Sequence, residues 1–117
     1  MTTDTHEVIA ALAVDYWKLL RSFERLACEM PEGRADRLQA QARFSTGRLQ
    51  THLEACGLKL ATFDGQAIDP ALPVVAINAD EMEGVSNAIV ESTVEPAVVA
   101  GPRVISIGRV IAATGAK

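Results

Sequence analysis

The chain has 117 residues, an apolar fraction of 49% and a net charge of −4. That length bounds it to one domain or two small pieces sharing a core, and the composition excludes global disorder. Residues 1–56 carry 7 basic and 8 acidic side chains and residues 57–117 carry 4 and 7, so neither half has the basic excess that a phosphate backbone calls for, and five aromatics leave little surface for stacking bases.

The opening segment, Met1 to Glu7, is polar and acidic and shows no signal-peptide pattern. Asp4 and Glu7 have the spacing of a capping box, with Asp in place of the usual Ser or Thr. From there Ile9, Leu12, Tyr16, Leu19, Phe23, Leu26 and Met30 recur at steps of three and four. This is a heptad seam, with Ile9, Tyr16, Phe23 and Met30 at a and Leu12, Leu19 and Leu26 at d. Ala13, Leu20 and Ala27 add an apolar e column, so the stripe suits a helix with more than one neighbour. A face of this kind has to be covered, either by the rest of the chain or by a second copy. Trp17, one step off the seam, is expected at the edge of a neighbouring helix.

Pro31-Glu32-Gly33 breaks this helix, and a break so short joins antiparallel neighbours. A second helix is expected from about Arg34 to Cys56, with Ala35, Leu38, Ala42, Ser45, Leu49 and Leu53 on its inner face and Gly57 as its C-terminal cap. Arg34, Arg37, Arg43 and Arg48 do not share one stripe, and Asp36 and Glu54 accompany them, which reads as a solvated face.

After Gly57 the periodicity changes. A strand is expected over Leu58–Thr62, then a hairpin turn at Asp64-Gly65. The apolar run Leu72–Asn78 carries Pro73, which belongs at an edge or a strand start. Asp80-Glu81-Met82-Glu83-Gly84 reads as a solvated acidic loop without a calcium-loop pattern. Ile89–Val94 and Ala97–Ala100 read as strands interrupted by Glu95-Pro96. Arg103–Ile107 with Arg109–Ala113 reads as one last long strand bulged at Gly108.

The fold class expected is therefore α+β: an N-terminal helical hairpin (residues 1–56), of coiled-coil or four-helix-bundle type on dimerisation, followed by a small all-β domain (residues 57–117). Chemistry-bearing constellations are missing from the sequence. Cys28 and Cys56 have no metal or disulfide spacing and read as small buried residues in a reducing compartment. His6 falls in the frayed start, His52 on the second helix, and Asp64 and Asp69 in turns. No cofactor, metal, membrane or nucleic acid is expected, and no enzyme. The expectation is a cytoplasmic homodimer that binds another protein, with Glu95, Arg103 and Arg109, charged side chains in an otherwise apolar sheet, as candidates for the partner surface.

The order of features after the second helix is more specific. Leu53-Glu54-Ala55-Cys56-Gly57-Leu58 closes a helix. Gly65 and Ile68-Asp69-Pro70 follow, then Leu72-Pro73-Val74, and later Val94-Glu95-Pro96 and Val104-Ile105-Ser106-Ile107-Gly108-Arg109-Val110-Ile111. This resembles GrpE, the nucleotide-exchange factor of DnaK-type chaperones, in which a Gly-x-x-Phe-Asp-Pro turn leads from a helix into a small β domain. Ile68 stands where that family has Phe, and the first helix is much shorter than its long paired helix. The resemblance implies a shortened, divergent exchange factor. It would pair through the Ile9–Met30 seam and use its β domain to promote ADP release from a DnaK-type ATPase. The alternative is a small acidic dimeric adaptor or secretion-type chaperone that binds one protein client and has no ATPase partner.

Overall fold

A computed structural model of the chain describes residues 3–115, with side chains from Thr5 to Gly115. The Asp4 half of the expected capping box lies outside the described side chains. The chain divides into two compact units, Met1–Lys59 and Leu60–Lys117. The fold class is α+β, a helical hairpin followed by a small all-β region.

In the first unit, α1 spans Thr3–Cys28 and α2 spans Glu32–Ala55. Nothing between Thr3 and Cys28 is Gly or Pro, so α1 runs uninterrupted for 26 residues, about 39 Å. His6, expected in a frayed start, lies inside α1 and is half-buried. Pro31 ends the helix by disfavouring helical geometry at the residue before it. The last amides tighten into i−3 bonds, with Glu29 N donating to Leu26 O and Met30 N to Ala27 O, both at 3.1 Å. Pro31 then opens α2 two residues earlier than expected. Its carbonyl accepts from Arg34 N (2.9 Å) and Ala35 N (2.8 Å), and Glu32 places a carboxylate at the positive end of the helix dipole.

At its other end α2 closes in a Schellman motif. Leu58 N donates to Leu53 O at 2.9 Å and Gly57 N to Glu54 O at 3.0 Å, with Gly57 at φ +76°. Leu53 and Leu58, which flank that closure, are both buried. The Leu-x-x-x-Gly-Leu sequence is thus a helix stop signal with a buried leucine at each end.

The second unit holds two three-stranded sheets, in the orders β1-β4-β5 and β2-β6-β3. The strands are β1 Lys59–Ala61, β2 Val74–Ala76, β3 Ala88–Glu95, β4 Ala97–Ala100, β5 Arg103–Ser106 and β6 Gly108–Thr114. A 3-10 turn, Ala79–Met82, occupies the acidic loop. Phe63, Val90, Ala97 and Val110 form the core, with Ile68, Leu72 and Val74 packed against them.

Two expectations for this unit are corrected. Asp64-Gly65 is a turn, with Gln66 N donating to Phe63 O at 2.9 Å and Gly65 at φ +83°, as a type II turn requires. It is not a hairpin, because β1 pairs with β4 and the segment after the turn runs along β3 instead. Likewise Arg103–Ala113 is not one bulged strand. It is two strands in different sheets, β5 and β6, and Gly108 begins the second. Pro96 marks the matching switch between β3 and β4. The register irregularities fall elsewhere, at Glu91 and Val94 of β3, which have no partner in the register with β6, and at Ile105 of β5, which has none in the register with β4.

The bulge at Glu91 lets Val90 and Thr93, three residues apart, both turn inward. Thr93 is the one buried polar residue among those described, and it is satisfied from both sides. Its Oγ1 accepts from Phe63 N at 3.2 Å and donates to the Asp64 carboxylate. Thr93→Val is expected to lower the unfolding free energy by about 2 kcal/mol in urea titration, because it leaves a buried amide without an acceptor. Asn78 plays a comparable part beyond the end of β2. Its amide exchanges two bonds with Ala112, at 2.8 and 2.9 Å, and so continues the β2–β6 ladder with a side chain.

Candidate protein interface

The two helices of the hairpin meet through a face other than the seam. On α1 the buried residues are Ala10, Ala13 and Ala27, with Trp17, Leu20 and Glu24 half-buried between them. These are the e column and the column beside it. On α2 the covered face is Ala42, Leu49 and Leu53 with Ala35, Leu38 and Ser45 half-buried, the face its sequence marks out. The fully buried part of the hairpin is thus alanine on α1 and alanine and leucine on α2. Among the described residues, none of the largest fully buried side chains lies in α1 or α2.

The seam itself faces outward. Leu12 is 65% exposed, Leu19 70% and Leu26 58%, and Tyr16 and Met30 are also exposed, while Ile9 and Phe23 are half-buried. Beside it runs an apolar groove of about 380 Å³ between the helices. Tyr16, Leu19, Phe23 and Leu26 line it from α1, and Gln41, Ala42 and Ser45 from α2. At the turn end Met30 borders Arg34, Arg37 and Leu38. Trp17 does not join this surface. It is half-buried, and the Arg21 guanidinium stacks over its ring at 4.9 Å.

In the β unit the three charged candidates separate. Glu95 and Arg109 stand directly opposite each other in the β3–β6 register, and Arg109 is flanked on its other side by Val75 of β2. The row Val75, Arg109, Glu95 thus crosses one sheet. Arg103 is in the other sheet, on β5, opposite Ala100. Sequence reasoning missed the exposed apolar side chains of this unit. Val75 and Ile77 are both about half exposed, as are Val104 and Ile107. The first pair was detectable as the alternate positions of the Val74–Ile77 run. Phe44, exposed on α2 with Arg48 stacked at 5.8 Å, gave no periodic signal.

Asp64 and Asp69 are engaged in the chain's own turns: Asp64 holds Thr93, and Asp69 accepts from Ala71 N at 2.8 Å. Cys28 and Cys56 are free thiols, and Cys28, expected to be buried, is exposed. Among the described residues no cluster of three or more His, Cys, Asp or Glu is placed to hold a metal ion, and no helix is long and apolar enough to cross a membrane. What the arrangement offers chemically is therefore apolar contact along α1 and a mixed apolar and charged row on the β2-β6-β3 sheet. No family model matches this chain, and no curated protein and no solved structure matches it.

Proposed function

We propose that this chain is a homodimeric, non-enzymatic protein-binding factor of the cytoplasm, a shortened nucleotide-exchange factor for a DnaK-type ATPase. The observation that carries this reading is the mismatch between the two faces of α1. On the face that closes the hairpin the fully buried residues of α1 are all alanines, and the face with Leu12, Leu19 and Leu26 is open. Alanine contacts bury little apolar area, and two isolated helices gain little stability without it. A second copy on the open face supplies what the hairpin lacks. The hairpin then serves assembly, and the β unit is free to grip a partner through the row at Val75, Glu95 and Arg109.

The order of a helical hairpin followed by a small β region supports the exchange-factor form of this reading. Its action needs no group that touches nucleotide. A β unit that binds the open form of the ATPase more tightly than the closed form shifts the population toward the open form and speeds ADP loss. A hundredfold preference corresponds to about 2.7 kcal/mol of differential binding. Stopped-flow release of labelled ADP from a cognate DnaK-type ATPase tests it. Release is expected to accelerate with added protein until saturation, and Arg109→Glu is expected to weaken the effect. An unchanged rate at saturating protein overturns the exchange reading and leaves the assembly reading standing.

A further inference from the structure

The four arginines of α2 do not share one stripe, and the structure sorts them into two pairs. Arg34 and Arg37 sit beside Met30 at the turn. Arg43 and Arg48 line a shallow hollow of about 490 Å³ together with Phe44, Gly47, Thr51 and His52. All six residues are exposed, and none of them lines the groove beside the seam. We infer that this hollow binds an acidic protein segment, which sets two carboxylates against Arg43 and Arg48 and an apolar side chain against Phe44. The surface belongs to the helical unit and depends on neither the dimer nor the exchange reading.

Charge is the first argument. The chain as a whole is acidic, at −4, yet the stretch from Arg37 to Leu53 holds no Asp or Glu. No acidic side chain lines the hollow. Its guanidinium groups are uncompensated locally, and the group complementary to them is a carboxylate. Asp36 and Glu54 close this cationic window at either end. A nucleic acid strand is charged at every step and would run onto one of those carboxylates, whereas a protein segment can confine its charge to one short stretch. Arg43 and Arg48 are separated by about 7.5 Å along the helix axis. Alternate residues of an extended chain stand about 7 Å apart with their side chains on one side, so two such carboxylates match the pair.

The apolar part of the hollow points the same way. Phe44 is 66% exposed, and the Arg48 guanidinium lies over its ring at 5.8 Å. A guanidinium stacked on a ring uses its face and keeps its in-plane N–H fork for a carboxylate. Gly47 lies between Phe44 and Thr51 on this face. Within the hairpin it only weakens α2, and no packing calls for it, since an added Cβ meets no atom within 4 Å. The space it leaves opens into the hollow, where it lets a partner's backbone come close to the helix.

An NMR titration of the isotope-labelled full chain tests this. The probe is the capped peptide Leu-Ser-Glu-Ser-Glu, which in an extended form puts Leu and both carboxylates on one side. The expected result is saturable shifts in the amides of residues 43–52, with a Kd of about 1 mM or tighter at low ionic strength. Arg43→Gln and Arg48→Gln are each expected to weaken binding about fivefold, and Arg25→Gln, an equally exposed arginine on α1, to leave it unchanged. Gly47→Ala is expected to weaken binding while helical melting rises, a divergence that a purely structural glycine would not give. The neutral peptide Leu-Ser-Gln-Ser-Gln is expected to cause no saturable shift. Absence of shifts in this segment with the acidic peptide overturns the proposal. So does equal binding of a thymidine trinucleotide of the same charge, or an equal loss in Arg25→Gln. None of these outcomes bears on ADP release, which the β unit is proposed to drive.

Discussion

Leu19→Asp is expected to halve the mass of the protein measured by light scattering at micromolar concentration and to lower its helical melting temperature by ten degrees or more. The size of this effect follows from where Leu19 stands. It is 70% exposed in the single chain, the most open of the large apolar side chains. In a lone hairpin the substitution costs only the difference in helix propensity, about 0.5 kcal/mol, because the new carboxylate remains in water. In the proposed dimer the same carboxylate would enter an apolar contact with no partner, and would do so twice, once from each copy. An unpaired charge of that kind costs several kcal/mol per site and exceeds what the seam returns. The hairpin released from its partner then has only its own helix–helix contact. Lys18→Asp, one position earlier on the exposed side away from the seam, is the matched control and is expected to leave the mass unchanged. A Leu19→Asp protein that keeps both mass and melting temperature would mean that nothing covers this ridge.

How the sequence anticipated this ridge, and where it did not anticipate the β unit, comes down to the range of the interactions involved. Helix periodicity is local: each turn of α1 repeats the decision made by the one before, so the seam and the inner face of α2 could be read from spacing alone. The end of α2 was legible for the same reason, since Leu53, Gly57 and Leu58 complete a motif within six residues. What spacing could not tell was which of two adjacent apolar columns α1 would give to α2. Both a/d and e columns are apolar, and the hairpin took the smaller side chains. A tight turn through Pro31 suits a close approach of alanine faces, while bulky Leu12, Leu19 and Leu26 can remain outside it.

In the β unit the signals were legible but their pairing was not. Asp64-Gly65 was correctly a turn, yet the strand it precedes does not return along β1. The alternation along β3 is broken by the bulge at Glu91, so Val90 and Thr93 point inward at an odd spacing that no period-two count finds. The polar side chains that organise the unit act across about thirty residues: Thr93 to Phe63 and Asp64, and Asn78 to Ala112. Such contacts leave no trace in the local sequence. The charged candidates show the same limit. Glu95 and Arg109 are fourteen residues apart and opposite in register, whereas Arg103, closer in sequence to Arg109, belongs to the other sheet.

Gly108→Val is expected to destabilise the β unit by about 3 kcal/mol, seen as a lower midpoint in urea with the same mass. Gly108 stands where the chain passes from β5 in one sheet to β6 in the other, and the chain makes the opposite crossing at Pro96. The two crossings lie against each other. A Cβ at position 108 would come within 3.0 Å of Glu95 O and 3.1 Å of Ala97 N, both backbone atoms, and 3.4 Å of the Val74 side chain. Backbone on both sides of Pro96 cannot give way as a long side chain would, because Ala97 and Val98 just beyond it are fully buried. Nor can Gly108 move outward without breaking its amide bond to Pro73 O, 2.8 Å, which begins the β2–β6 ladder. The glycine is therefore set by close approach of two backbones, not by an unusual dihedral angle. Gly47→Ala provides the contrast. That glycine lies inside α2 with no atom within 4 Å of the added methyl, and the substitution is expected to stabilise the hairpin by up to about 1 kcal/mol. Opposite signs at the two positions would separate a glycine required by packing from one that merely weakens a helix. Equal and small effects would mean that the two sheets do not cross at Gly108 as described.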